Sequence, residues 1–359
     1  MTKARIPPWT WIIPLLGWLL LGARAGGLAH PLLAAARGVV LVGCVRAAVH
    51  HAEVVARRVG EPFGTLLLAL AVTSMEVALI VSLSLKGEAT LARDTVFATI
   101  MLILNGMVGL CLLLGASRHR EQHFSVYGVS ATLAAIAAIS VITLVLPNTT
   151  TTAPGPYYST GQLAFVGIVS LVLYGVFVLV QTVRHRDYFL PQAELRDAEP
   201  EQAGKAAKGR HVATSGLLAL AALGGVILLA KSLGPALERG VAAIGAPEAL
   251  VGVIVAAIVL LPESLAAIHA ARADRLQTSL NLALGSAMAS IGLTIPAVAA
   301  VSIATHWQLA LGIGPKETVL LALSLLTAAL SLGTGRTTVL QGAVHLVILG
   351  VFLFTAVVP

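Results

Sequence analysis

The sequence contains few charged residues for its length. Only 11% of its 359 residues are Asp, Glu, Lys or Arg, whereas a soluble globular domain carries about a quarter. Hydrophobic residues make up 57% of the chain. This composition leaves no room for a large soluble domain and indicates a membrane protein.

Cysteines are equally scarce and follow no pattern. Cys44 and Cys111 are the two cysteines of the chain, and each lies in an apolar stretch far from the other. Their spacing fits neither a metal-ligand motif nor a disulfide framework. We therefore predict that both are packing residues.

Motifs of intramembrane enzymes are absent from the sequence. We find no Asp-rich diphosphate cluster, no His-Glu-x-x-His motif and no Ser/His pair in defined helices. An intramembrane enzyme is therefore the weaker alternative, and we expect no cofactor. A cation channel is the nearer rival to a transporter.

Long apolar windows predict an all-α polytopic protein with about eleven transmembrane helices. An N-terminal signal peptide is an alternative for the first 26 residues, because Lys3 and Arg5 precede the first apolar run. We favour a first span, since many more follow. The predicted spans are 9–22, 29–49, 65–85, 95–115, 127–147, 162–182, 213–233, 248–269, 278–303, 317–333 and 338–357.

The basic residues agree with this topology. The chain has a net charge of +7, but its Lys and Arg are scattered singly between apolar segments, so nucleic acid is not the expected partner. With a cytoplasmic N-terminus, 16 of the 23 basic residues face inward, six face outward and Arg37 falls within a span. The excess of inward positive charge predicts this orientation, with a periplasmic C-terminus. The Ala- and Arg-rich composition points to a bacterial inner membrane and its lipid bilayer.

Two acidic residues lie well inside apolar spans. Glu76 falls in the third span and Glu263 in the eighth, whereas the other acidic residues lie in loops or at span ends. An ionisable side chain at the bilayer centre costs about 2.5–3.5 kcal/mol on insertion scales. A protonated carboxyl bonded between helices is the simpler alternative for either residue alone. The pair instead favours a functional site.

The spacing of the two glutamates predicts an inverted repeat. Each glutamate lies in the second span of a five-span unit, and five spans per unit force the second copy to enter the membrane from the opposite side. Short Glu/Pro-containing motifs open both spans about 15 residues before the glutamate, although internal identity is otherwise weak. We divide the chain into an N-terminal helix, a first repeat, a cytoplasmic linker and a second repeat, with the bounds 1–28, 29–183, 184–211 and 212–359.

Several neutral side chains could complete an oxygen shell around the carboxylates. Pro262 precedes Glu263 and removes one helical hydrogen bond, which frees a carbonyl. For the more distant members, helix packing by small residues is an equally good interpretation. The candidate supporting residues are Thr73, Ser74, Ser264 and Ser286, followed by Asn105, Asn281 and Ser290.

Histidines offer a second possible route for protons. His50, His51, His269 and His345 could act as proton relays or pH sensors. Packing or span-end positions are the simpler interpretation, which we favour.

Several segments resemble the calcium/cation antiporter superfamily, in particular the bacterial ChaA-type sodium(potassium)/calcium:proton antiporters. The matching stretches are 46–62, Met75-Glu76, 261–265, 281–296 and 331–337. The resemblance implies ten core helices in two inverted halves, with the cation and proton site at Glu76 and Glu263 and supporting polar groups near Ser286. Unlike the vacuolar-type relatives, this chain has Val72-Thr73-Ser74-Met75 before the first glutamate, so their ion preference does not transfer.

A chemical scheme follows from the two carboxylates. Burial disfavours their charged form, so a proton and a cation can compete for the same oxygens. One Ca²⁺ or two protons would neutralise both glutamates, and Na⁺ or K⁺ could bind with one glutamate still protonated. The sequence leaves open the choice among these cations, the stoichiometry and the oligomeric state.

Overall fold

The computed structural model describes residues 7–22, 31–59, 71, 73–78, 80, 81, 89–189, 209–247 and 249–358. Within these ranges the chain is almost entirely helical, and the only β-structure consists of two isolated bridges, His123 with Arg336 and Tyr157 with Ala310. The helices are α1 (Trp9–Gly22), α2 (Pro31–Val59), α3 (Leu91–Met101), α4 (Val108–His119), α5 (Val126–Ser140), α6 (Thr160–Leu179), α7 (Gly209–Ala243), α8 (Ala249–Arg272), α9 (Leu276–Thr305), α10 (Pro315–Leu332) and α11 (Val339–Val357).

Among the described residues, three of the spans contain a widened, π-helical turn. The first, π1 (Leu102–Met107), joins α3 to α4 without a break, and the others are π2 (Val141–Val145) after α5 and π3 (Val180–Arg184) after α6. Short 3₁₀ turns follow at Leu146–Asn148 and Arg186–Tyr188. Single π turns inside α-helices occur frequently at functional sites.

The helices confirm the predicted class of polytopic all-α membrane protein. Nine helical segments among the described residues are long and apolar enough to cross a bilayer. Helix α1 has 14 residues, fewer than the roughly 20 that a perpendicular span needs. The predicted span 65–85 lies partly outside the described residues. Within this span, residues 73–78 are described and helical. Most of the predicted linker 184–211 also lies outside them.

The chain divides into two compact units, and each draws on both predicted repeats. Unit 1 comprises residues 1–86 and 199–244, and unit 2 comprises residues 87–198 and 245–359. Glu76 therefore belongs to unit 1 and Glu263 to unit 2.

In unit 1, helices α1, α2 and α7 pack together. The α1 residue Trp18 donates its indole Nε1–H to the carbonyl of Ala221 in α7 at 3.1 Å. Arg37 of α2 donates to the carbonyl of Leu20 at 3.2 Å, which gives this buried guanidinium a main-chain partner. Cys44 is a fully buried free thiol, like Cys111 in unit 2. Both cysteines are thus packing residues, as predicted.

In unit 2, the continuous span α3–π1–α4 is largely buried and packs against α8, α9 and α11. Glycines permit the closest approaches. A Cβ on Gly252 of α8 would lie 3.0 Å from backbone atoms of Asp94 and Thr95 in α3. Because such a Cβ would clash with backbone rather than with a flexible side chain, Gly252 fixes how closely α8 and α3 approach.

Gln122 joins three loops at the far end of these helices. Its side-chain Nε2 donates to the carbonyl of Ala271 at 3.2 Å and to Asp274 Oδ1 at 2.7 Å. The main-chain carbonyl of Gln122 accepts from the main-chain amide of Thr337 at 3.2 Å. The α4–α5, α8–α9 and α10–α11 connections are therefore held at one place.

Candidate functional site

Glu76 lies on a helical segment whose buried face also carries Thr73. The exposed fractions of Glu76 and Thr73 are 3% and 4%. Residues three apart share a helix face, so Thr73 and Glu76 lie on the same side of this segment. Ser74 is exposed, because a residue two positions away points to the opposite side of the helix. Of the two predicted supporting residues, the helix places Thr73 on the face of Glu76 and Ser74 on the other.

Glu263 lies in the middle of α8, directly after Pro262. The side chain is half-buried, and its Oε2 atom is inaccessible to solvent. Helix α8 continues through Pro262 from Ala249 to Arg272. The proline nevertheless cannot donate a main-chain hydrogen bond, so the carbonyl of Ile258 lacks its usual helical donor. A carbonyl oxygen one turn before the glutamate is thus freed from the helical ladder.

The register between α8 and the α3–π1–α4 span places Glu263 level with π1. The two run parallel, because Gly252 meets Asp94 at one end and Ala271 bonds Gln122 at the other. Glu263 lies eleven residues beyond Gly252 and Asn105 lies ten beyond Thr95. At 1.5 Å per residue both displacements are about 15–17 Å. Glu263 and Asn105 therefore lie at the same height in unit 2.

The π1 turn alters the main-chain hydrogen bonding at this height. The amide of Val108 donates to the carbonyl of Ile103, five residues earlier. In an α-helix that amide would bond the carbonyl of Leu104 instead. The Leu104 carbonyl thereby loses its usual donor, and an oxygen with a free lone pair is produced beside Asn105.

Helix α9 brings Ser286 to the same height. The short connection between α8 and α9 reverses the chain at Asp274, whose φ is 58°. Glu263 precedes that residue by eleven positions and Ser286 follows it by twelve. Ser290 is one turn further along α9 and is buried. Ser264 is half-buried on α8, about 100° around the helix from Glu263.

Asn281 is engaged elsewhere. Its Nδ2 donates to the carbonyl of Phe189 at 2.5 Å, and its Oδ1 accepts from Gln277 Nε2 at 2.9 Å. Gln277 in turn accepts from the amide of Ser125 at 2.7 Å. The Nδ2 bond thus ties the segment after α6 to α9, while Oδ1 is engaged within α9. We therefore leave Asn281 out of the candidate site.

The fully buried Asn105 is the centre of a hydrogen-bond network that we did not predict. Its Nδ2 donates to Ser324 Oγ at 2.8 Å, and its Oδ1 lies 3.3 Å from His345 Nδ1. The other nitrogen of His345, Nε2, lies 2.8 Å from Ser331 Oγ. A sequence signal existed, because Ser324 and Ser331 are seven residues apart and so share one face of α10. The partnership with His345 has no such signal.

Comparison with known proteins agrees with the fold and with the resemblance. The chain matches the family described as sodium/calcium exchanger protein over residues 30–183 and 214–358. It is 34% identical to the sodium-potassium/proton antiporter ChaA of Escherichia coli, over 98% of this chain and 97% of that protein. It is 49% identical to the y4hA protein of Sinorhizobium fredii, over 99% and 98% of the two chains.

Solved structures give the same fold at lower sequence identity. The structure of native YfkE superposes with a TM-score of 0.73 at 17% identity, covering 98% of this chain and all of that one. The crystal structure of the H⁺/Ca²⁺ exchanger CAX gives a TM-score of 0.70 at 15% identity, covering 96% and 87% of the chains. The helical fold, the match to the family over both halves and the 34% identity to an antiporter over nearly the full length of both chains agree. The chain therefore belongs to the sodium/calcium exchanger protein family.

Proposed function

We propose that this protein exchanges Ca²⁺, Na⁺ or K⁺ for protons across a bacterial inner membrane, with Glu76 and Glu263 binding both the cation and the protons. The observation that carries the proposal is that Glu263 lies in the apolar helix α8, that Glu76 lies on a helical segment in an apolar stretch of sequence, and that each has a carboxylate oxygen inaccessible to solvent. Such placement costs free energy and is retained where ionisation serves transport. Family membership and the antiporter name of the Escherichia coli relative support exchange over an enzymatic role.

Unit 2 offers neutral oxygens at the height of Glu263. The Ser286 hydroxyl, the Ile258 carbonyl opposite Pro262 and the π1 main chain are the groups we assign to the cation shell there. In unit 1, Thr73 shares the face of Glu76. Ca²⁺ takes six to eight oxygen ligands, so two carboxylates with hydroxyls, carbonyls and water would satisfy it.

The charge balance of the two glutamates couples the fluxes. One Ca²⁺ neutralises two carboxylates, and two protons do the same. The empty, doubly charged state is costly in an apolar surrounding. Alternating access therefore proceeds from the cation-loaded or the protonated state, so a cation crosses in one direction as protons cross in the other. With Na⁺ or K⁺, one glutamate stays protonated. Either the monovalent cation or a second proton then neutralises the other glutamate.

The test is cation-driven proton flux in everted vesicles, measured separately with Ca²⁺, Na⁺ and K⁺. Glu76→Gln and Glu263→Gln are each expected to abolish the flux while the protein still inserts in the membrane. Glu121→Gln is the matched control, because this carboxylate is largely exposed. Its contact with Arg336 is a loose surface ion pair with an N–O distance of 4.0 Å. Flux that survives either buried substitution overturns the assignment. Cation flux that cannot drive protons uphill indicates a channel.

A further inference from the structure

A buried histidine in unit 2 lies against the widened turn at the height of Glu263. His345 is fully buried on α11, like Asn105 in π1 and Ser324 on α10. A Cβ on Gly109, just after π1, would lie 2.9 Å from His345 Cβ. Because a glycine faces the histidine there, the imidazole lies directly against the backbone of the span that contains π1.

The hydrogen bonds fix where the imidazole carries its proton. Ser324 Oγ donates to the carbonyl of Leu320 at 2.7 Å, so it accepts from Asn105 Nδ2. The amide oxygen of Asn105 is therefore the atom that faces His345 Nδ1. Because an amide oxygen can only accept, Nδ1 must carry a hydrogen. Nε2 then accepts from the Ser331 hydroxyl at 2.8 Å.

The same imidazole anchors the widened turn. The hydrogen bond of its Nδ1 goes to Asn105, which directly follows Leu104, the residue whose carbonyl loses its helical donor in π1. A buried carbonyl without a donor destabilises the fold, so π1 needs a contact from outside its own helix to persist. His345 supplies that contact from α11 and holds the turn open.

We propose that His345 is a positioning residue for transport: its Nδ1–H holds the Asn105 side chain, and with it the π1 turn, in place at the height of Glu263. This inference rests on the proposed exchange function and adds a residue to it. In this role His345 binds neither the transported cation nor the transported protons. Its loss lets π1 relax, which displaces main-chain oxygens beside the carboxylate and weakens cation binding.

Two isosteric substitutions test which nitrogen matters. Asn at position 345 places an amide N–H near the position of Nδ1, whereas Gln places its polar end near that of Nε2. We expect His345→Ala to raise the half-saturating cation concentration about tenfold, while the maximal flux per inserted protein changes little. His345→Asn should restore it to within about threefold of the parent, and His345→Gln should not. His306→Asn is the matched control, since His306 is exposed in a left-handed turn that Asn tolerates.

Nitrogen NMR of ¹⁵N-histidine-labelled protein in detergent gives an independent readout. The His345 signal, assigned by its loss in His345→Asn, is expected in the Nδ1–H form. Rescue by Gln instead of Asn, an unchanged half-saturation in His345→Ala, or an Nε2–H signal overturns the role of His345. A loss of maximal flux alone also overturns it, since that indicates lost folding only. No exchange by the parent protein, in contrast, overturns the proposed function itself.

Discussion

Gly342 of α11 lies against the backbone of Leu113 in α4. A Cβ on Gly342 would come 2.5 Å from the Leu113 nitrogen and 2.7 Å from its Cα. No rotamer change can relieve such a contact, because both atoms are main chain. The absence of a side chain at this one position therefore sets the distance between α11 and the buried span, and with it the reach of His345, three residues further on.

We expect Gly342→Ala to destabilise the protein. The added methyl group must push α11 away from α4, and overpacking of this kind costs about 1–3 kcal/mol. Thermal unfolding in detergent should show the lowered midpoint. Gly350→Ala is the control on the same helix, because nothing lies within 4 Å of a Cβ there. Alanine favours a helix over glycine, so this variant should be as stable as the parent or more so. Equal midpoints for the two variants would contradict the contact.

Replacing Ser286 or Asn281 with Ala should affect two different properties, cation binding for Ser286 and stability for Asn281. Ser286→Ala removes a hydroxyl at the height of Glu263, so the half-saturating cation concentration should rise about fivefold, the equivalent of one hydrogen bond. Asn281→Ala should leave half-saturation unchanged and lower stability by about 1–3 kcal/mol, because the carbonyl of Phe189 loses its donor. Flux titrations and unfolding curves on both variants measure this. The reverse pattern would return Asn281 to the cation site.

Cation and proton should compete at the same carboxylates. Lowering the pH on the side to which the cation is added should raise the half-saturating cation concentration, because a protonated carboxylate cannot bind the cation. The rise is about tenfold per pH unit for each proton displaced, so the slope counts the protons. Glu121→Gln should keep the slope of the parent. A half-saturating concentration that does not change with pH would rule out a shared site.

The apolar pattern of the sequence predicted most span positions closely. The predicted segments 127–147 and 278–303 correspond to the helical stretches Val126–Asn148 and Leu276–Thr305. A continuous apolar run locates a span reliably, because a segment in lipid must satisfy its own backbone hydrogen bonds and therefore forms a helix. The two glutamates were predicted as site residues because charge inside such a run is costly, and their role remains a proposal. The division into two repeats remains a prediction.

The local surroundings of the glutamates were less accessible to sequence reasoning. Helical spacing alone already separates Thr73 from Ser74 around Glu76. Partners distant in sequence are different, because Asn105 and His345 are 240 residues apart and meet only in the folded helix bundle. Likewise, nothing in Leu102–Met107 marks it as a widened turn before its tertiary contacts are known. Asn281 was placed in the cation shell as one alternative because its bond to Phe189 could not be foreseen.

The π1 turn also has a consequence for the helical phase of its span. One additional residue in a turn rotates everything after it by about 100° relative to an uninterrupted α-helix. Gly109, two residues past π1, faces His345 only because of that rotation. Deleting a single residue within Leu102–Met107 would therefore leave the span almost as long and as apolar as before. It would close the turn into an ordinary α-helix in which Gly109 and the rest of α4 keep their orientation toward α11. The variant would lose only the freed main-chain oxygen at the height of Glu263, a defect that no hydropathy profile would reveal.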